Sequence, residues 1–454
     1  MRLLLLIVAM TGSLLSGALA QTLSDYVGDW AGELVITEAA KLPLVLHVEE
    51  NDGSFSATLD SPAQGAFGIP AADVTLTNDA KLLVTITAIG ARYEAALSEN
   101  GTTLDGTFTQ NGQEFSLVLI KDAPVPEREA RPQEPGDDRP YNEEEVTFTS
   151  ADGTTLAGTL VVPDGNGPFP GVVFLTGSGP QDRDETLDSA NHKPFLVLSD
   201  HLARQGIASL RYDDRGTYAS DGDFLNSQLS DFAADAAAAL TFLGSAAPLS
   251  KAGFVGHSEG GVTAPLAVVE NEAQADFIVN IAGPFTKVGD VVVAQIETIG
   301  RAAGADESAL AASRAVQQQF VDIVLNSDSP EGGCPQIRLL SAGAPEAQRQ
   351  QALQLCTPYF WSLLRTNAAP LYEQYDGPVL VLFGGKDVQV DADTHAPIAR
   401  QILKDRSGSE VIVYDDKNHL FQTAKTGAMT EYGEIDETMA PEVMERISDW
   451  INAR

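Results

Sequence analysis

Basic residues are scarce in this chain: Lys and Arg together number 28, against 64 Asp and Glu, for a formal net charge of −36 over 454 residues. So acidic a chain is repelled by nucleic acid and by anionic membrane surfaces, which removes both from the expected partners. Cysteine is nearly absent, with Cys334 and Cys356 the only two. In an oxidising compartment a disulfide between them is the default, stapling one segment without holding the fold together, and two free buried thiols are the other reading. Long apolar runs are also lacking, and none beyond the N-terminus could span a bilayer. The apolar run from Leu3 to Met10 follows Met1-Arg2 and leads to Ala18-Leu19-Ala20 before Gln21. That is the pattern of a secretory signal peptide over residues 1–20 with a small-residue cleavage site. No cysteine lies near the cleavage point to carry a lipid. The expected mature protein is soluble, without a membrane anchor, and periplasmic or secreted. Nothing in the sequence sets its oligomeric state.

What is present divides into two patterns. Residues 21–122 read as short strands punctuated by turns, with strand runs at Leu42–Val48, Ser54–Leu59, Leu82–Ile86, Tyr93–Leu97 and Phe115–Ile120. Turn signals fall at Asn51-Asp52-Gly53, Glu99-Asn100-Gly101 and Gln110-Asn111-Gly112. Regular short strands with Asn-Gly turns predict a small antiparallel β barrel or sandwich. Pro43 places the start of its strand at an edge. His47 stands alone there with no charged cluster to suggest chemistry, so the region reads as a packing or binding module. Residues 123–142 carry Pro124, Pro126, Pro132, Pro135 and Pro140 among many charges and read as a linker.

From Glu143 strands alternate with helices, which predicts a mostly parallel sheet over residues 143–454. A hairpin at Val146–Thr149 and Leu156–Val162 opens it, and a helix from Pro441 to Asn452 closes it. Between them lie strands at Gly171–Leu175, Ile207–Tyr212, Phe277–Ile281, Val379–Phe383 and Val411–Tyr414. Helices are expected at Phe195–Gln205 and, Ala-rich, at Asp231–Leu243. This order suits an α/β-hydrolase with a helical cap inserted at about residues 286–375.

The richest stretch is Gly256-His257-Ser258-Glu259-Gly260, which closes the apolar run Ala252–Val255 and opens a small-residue helix. Strand, sharp turn on Ser and helix form the context of a nucleophile elbow, with glycines where nothing bulky fits beside a strained residue. A serine hydroxyl needs a base, and the base an orienting acid, in the chain order Ser, Asp or Glu, His. His419 follows the last strand, where the base belongs. His395 falls within a helix and reads as a surface residue. Asp387 directly follows the strand ending at Phe383 and is the preferred acid, with Asp391 in reserve and Asp415 and Asp416 read as surface charges. An oxyanion hole needs two N–H groups. Glu259 supplies one, and Ser178 in the loop Thr176-Gly177-Ser178-Gly179-Pro180 the other, with Gly179 as its alternate. This chemistry requires no metal and no cofactor.

These segments carry a family resemblance. Gly177–Glu185, Arg211-Tyr212-Asp213, Arg215-Gly216, Gly256–Gly261, Lys386–Val390 and Asn418–Gln422 together resemble the extended α/β-hydrolase esterases. Those proteins are related to serine-aminopeptidase-like hydrolases, and some bear an extra N-terminal β domain. The resemblance spans nearly all of the chain after the linker and implies Ser258, Asp387 and His419 as the triad. Tyr218 departs from it, standing where the family usually has Gly. Asn367-Ala368-Ala369-Pro370 departs from it too, replacing a Tyr-Asp-Pro-like stretch in the cap.

The expected activity is that of a serine carboxylesterase acting on small or medium esters through an acyl-enzyme. A serine aminopeptidase or amidase with the same triad is one rival, and a non-catalytic binding protein the other. The charged clusters Asp182-Arg183-Asp184 and Asp213-Asp214-Arg215 read as ion-paired loops bracing the site more readily than as substrate clamps. The aromatics Tyr359-Phe360-Trp361 in the cap suit either a substrate pocket or the cap's own core.

Overall fold

The computed structural model describes residues 22–36, 41–51, 54–62, 66–110, 112–124, 130–187 and 190–454. The signal-peptide expectation falls on residues outside these, as do Asp52, Gly53 and Asn111 of the expected turns. The chain forms two compact units.

The first unit holds β1 (Gly28–Val35), β2 (Lys41–Asn51), β3 (Ser54–Ser61), β4 (Ala66–Pro70), β5 (Asp73–Leu76), β6 (Leu82–Ile86), β7 (Ala91–Leu97), β8 (Thr103–Gln110) and β9 (Gln113–Lys121). They make one nine-stranded sheet in the order β4-β3-β2-β1-β9-β8-β7-β6-β5. Alternation drives it: Leu82, Val84 and Ile86 of β6 are buried while the residues between them are half-exposed. Past β4, the Ala71 N–H donates to Ala57 of β3 and the Ala72 N–H to Thr85 of β6, which curls the sheet back toward itself. The barrel-like form is therefore the one adopted. Among the described residues of this unit there is no second sheet to make a sandwich.

Two readings need correction in this unit. β2 is an interior strand between β3 and β1, and its pairing with β3 begins at Val45, past Pro43. His47 is not alone: its ring nitrogens lie 2.7 Å from Asp29 and 3.0 Å from Asp60. Burial would lower its pKa, but hydrogen bonds to the two carboxylates outweigh this and raise it.

The second unit opens with β10 (Tyr141–Thr149), β11 (Thr155–Pro163), β12 (Phe169–Leu175), α1 (Pro194–Arg204), β13 (Ala208–Tyr212), α2 (Leu229–Ala246), β14 (Leu249–His257), α3 (Gly260–Asn271) and β15 (Phe277–Ile281). The cap follows as α4 (Val288–Ala302), α5 (Glu307–Asn326), α6 (Pro330–Ser341), α7 (Glu346–Gln354), α8 (Pro358–Arg365) and α9 (Ala368–Gln374). The chain ends with β16 (Val379–Gly384), α10 (Ala392–Leu403), β17 (Glu410–Tyr414) and α11 (Pro441–Asn452). β10 starts at Tyr141, inside the segment read as linker, because Tyr141 is buried, pairs with Pro163 and bonds Asp200. Nor are Arg131 and Gln133 of that segment free. Arg131 donates to the carbonyls of Ala190, Asn191 and Gly433, and Gln133 to that of Met439.

The eight strands run in the order β10-β11-β13-β12-β14-β15-β16-β17, parallel from β13 to β17. Helices cover both faces, so the central strands are apolar throughout rather than alternating. Val172 and Phe174 pack with α1 and α11 on one face, while Val173 and Leu175 pack with α2, α3 and the cap on the other. The chain passes from β12 to β13 on one side and from β13 to β14 on the other. The strand order therefore reverses at β12 and β14, and the carboxyl ends of these strands are where such sheets bind ligands.

Candidate active site

Ser258 sits at that reversal, directly after β14, in a left-handed conformation with φ of 51°. For a residue with a side chain this costs about 1–3 kcal/mol and is held only where the surroundings leave no alternative. Here the Ser258 N–H donates to the Ile281 carbonyl (2.8 Å) and its own carbonyl accepts from Gly261 (3.0 Å). The flanking glycines follow from contact distance. A Cβ on Gly256 would lie 2.2 Å from the Gly260 carbonyl oxygen, and one on Gly260 would lie 2.1 Å from that of Leu175 in β12. Behind the elbow α3 carries Pro265, which cannot donate to the Gly261 carbonyl one turn back. The Tyr372 hydroxyl donates to that carbonyl instead, at 2.6 Å, and itself accepts from Asn280.

His419 and Asp387 come together at the ends of β17 and β16. The His419 Nδ1 lies 2.7 Å from Asp387 Oδ2, and both side chains are buried. Asp387 Oδ1 accepts from the N–H groups of Gln389 (2.7 Å) and Val390 (2.9 Å), which fixes the carboxylate. A proton on Nδ1 shared with Asp387 leaves Nε2 as the acceptor nitrogen. His419 and Ser258 line one cavity. Asp391, the reserve acid, instead caps α10 by accepting from Asp393 and Thr394. His395 is not a surface residue. It is 3% exposed, accepts from the Phe285 N–H and stacks on Phe383, because it lies on the face of α10 that packs against β16.

The loop after β12 shows which N–H groups are committed. That of Gly177 donates to Glu185 (2.7 Å) and that of Gly179 to the Tyr359 hydroxyl (2.9 Å). Among the described residues, the N–H groups of Ser178 and Glu259 have no hydrogen-bond acceptor. The Gly179 alternate is therefore occupied, and Ser178 and Glu259 remain as a donor pair.

Three residues have supporting roles that the sequence reading did not assign. Glu185, with φ of 53°, bonds both Gly177 and His257 Nδ1 through Oε1. His257 Nε2 reaches the His419 carbonyl at 3.1 Å, and the two imidazoles pack with centroids 4.7 Å apart. One Glu–His pair thus ties together the loop after β12, the elbow and the His419 loop. Burial would depress the His257 pKa, but Glu185 and the His419 carbonyl outweigh it and raise it. The third residue is Tyr359 of α8. It donates to the buried Glu259 carboxyl at 2.5 Å while accepting from Gly179. Burial pushes Glu259 up to about 7, against the hydrogen bonds from Tyr359 and Ser178. Of the neighbouring cap aromatics, Phe360 lines the cavity and Trp361 is buried against Gly333. The pocket and core readings are both met, by different rings.

The charged clusters brace loops. Arg183 pairs with Asp213 (2.8 Å) and with Glu145, Arg211 with Glu143 (2.8 Å) and Asp184, and Arg215 with Asp235 (2.6 Å) and Asp152 (3.0 Å). Asp214 accepts from Thr176 and the Gln181 N–H. Tyr218 adopts φ of 47°, the left-handed region that suits the Gly of its resembled family. In the cap, Asn367 caps α9, and Cys334 and Cys356 are joined in a disulfide. Among the described residues no group of three or more His, Cys, Asp or Glu is arranged to hold a metal ion, and no helix is long and apolar enough to cross a membrane.

Comparison with known proteins gives the family. The family described as serine aminopeptidase, S33, matches residues 193–423. The chain belongs to that family. It is an α/β-hydrolase, with an N-terminal antiparallel β unit ahead of the hydrolase sheet. Esterase EstD of Thermotoga maritima is 27% identical over 315 residues, covering 68% of each protein. Among solved structures, an esterase from Pyrococcus furiosus aligns with a TM-score of 0.44 at 16% identity, over 71% of this chain and 97% of that one. An esterase from Exiguobacterium antarcticum aligns with a TM-score of 0.41 at 17% identity, over 68% of this chain and 100% of that one.

Proposed function

We propose that this family member is a serine carboxylesterase. The observation that carries the reading is the Asp387–His419 pair sharing a cavity with Ser258, a serine held at positive φ in a strand–turn–helix elbow. Ser258 attacks the ester carbonyl while His419 Nε2 takes its proton, and Asp387 fixes the imidazole tautomer. The N–H groups of Ser178 and Glu259 receive the oxyanion. His419 then protonates the departing alcohol, and water activated by the same imidazole releases the acid and regenerates Ser258. The esterase named among the relatives supports ester over amide chemistry, while the family description keeps a serine aminopeptidase as the second reading. The residues 1–20 pattern adds export to the periplasm or medium.

A panel of p-nitrophenyl esters run beside aminoacyl p-nitroanilides separates the two readings. Faster cleavage of the anilides would overturn the esterase assignment. Ser258→Ala is expected to lower kcat by several orders of magnitude with the melting curve unchanged. Near-normal turnover in that variant would refute the role of Ser258.

A further inference from the structure

The cavity that holds Ser258 and His419 is about 1570 Å³, larger than the roughly 300–1,000 Å³ of ordinary small-ligand pockets. Nearly half of its lining residues come from the cap. Val291 and Ile296 of α4, Phe320 of α5, and Phe360, Leu363 and Leu364 of α8 give an apolar lining far wider than an acetyl group needs. Neutral amides, among them Gln295, Gln317, Gln348 and Gln351, stand with them. The charge distribution is one-sided. Glu185, Glu259 and Glu434 are the carboxylates of the lining, and among the described lining residues there is no Lys or Arg. The whole chain adds a net charge of −36.

We propose that this cavity takes uncharged esters whose large apolar group lodges against α4, α5 and α8, and that it rejects esters carrying a carboxylate on that group. The proposal rests on the serine-esterase reading and narrows its substrate class. Each methylene transferred from water to the cap wall strengthens binding by about fourfold. A carboxylate on the same chain would be desolvated among apolar and neutral amide side chains of the cap, with no Lys or Arg among the described lining residues to meet it.

The test uses the whole protein and p-nitrophenyl acetate, butyrate and octanoate, with the p-nitrophenyl monoester of octanedioic acid as the charged counterpart of octanoate. A small fluorophosphonate, which needs no apolar pocket, labels Ser258 in parallel. kcat/KM is expected to rise ~100-fold or more from acetate to octanoate. The octanedioic monoester should fall ~100-fold or more below octanoate. Val316 lines the cavity and is 47% exposed, so a lysine there keeps its ammonium in water. Val316→Lys should shrink the penalty on the octanedioic monoester ~10-fold, since it supplies the missing countercharge. If Ser258 is labelled but acetate is preferred, or the charged and uncharged octanoyl esters react equally well, the substrate proposal is overturned and the esterase reading stands. An unlabelled Ser258 with no ester turned over overturns the esterase reading and the substrate proposal with it.

Discussion

Glu259 offers a quantitative test of the site's electrostatics, because burial raises its pKa from the ordinary 4.5 to about 7. A group whose folded pKa lies above its unfolded value stabilises the protein fully below the unfolded value, and that contribution is lost as pH rises through the folded one. Between 4.5 and about 7 the loss totals about 3 kcal/mol, of which about 2 kcal/mol falls between pH 5.5 and pH 8.5. Glu259→Gln removes the titration while keeping the side-chain shape and an oxygen for Tyr359 and Ser178. Relative to this variant, the wild type should lose about 2 kcal/mol on going from pH 5.5 to 8.5. For a unit of roughly 300 residues that is about 3 °C in melting temperature, at ~2.1 cal/mol/K per residue. Calorimetric melts of both proteins at the two pH values measure it, and the comparison cancels every other titrating group. A wild-type-minus-variant difference that stays constant with pH would show that Glu259 is not held in a desolvated site, and the account of the Tyr359–Glu259 contact would fail with it.

Three further outcomes are expected. Asp387→Asn should lower kcat by about 10⁴ while leaving the melting temperature nearly unchanged, since Asn can still accept from Gln389 and Val390. A loss under tenfold would remove Asp387 from the proposed triad. Gly260→Ala would place a methyl 2.1 Å from the Leu175 carbonyl oxygen, forcing β12 and the elbow apart at a cost of about 3 kcal/mol or more. It should yield insoluble or inactive protein, and normal turnover with a normal melt would contradict that packing. The Cys334–Cys356 bridge closes a separation of 22 residues, which constrains the unfolded cap by about 3 kcal/mol. Reduction should speed amide exchange in α6–α8 while the amides of β12–β16 keep their protection. Equal exchange in the reduced and oxidised proteins would show that the bridge does not stiffen the cap.

The sequence by itself determined the parts of this protein that are local. An apolar run, two close glycines and a small-residue helix can be satisfied only by a strand, a tight turn and a helix, so the elbow at Ser258 was legible without coordinates. Asp387 and His419 were legible from chain order, each lying in the loop that follows an apolar strand after the elbow. The structure brings them to 2.7 Å. The tertiary structure decided everything that depends on which face turns inward or which distant segments meet. His395 looked like an ordinary polar residue on a helix, and only the packing of α10 against β16 buried it. Glu185 and His257 lie 72 residues apart, and Tyr359 and Glu259 100 apart. No periodicity links such pairs, because their hydrogen bonds form only after the sheet has brought the strand ends together. The elbow's own turn is fixed by the nearest few residues. The N–H donors left open around it, and the broad apolar wall of the cavity beside it, are fixed by contacts that exist only in the folded chain.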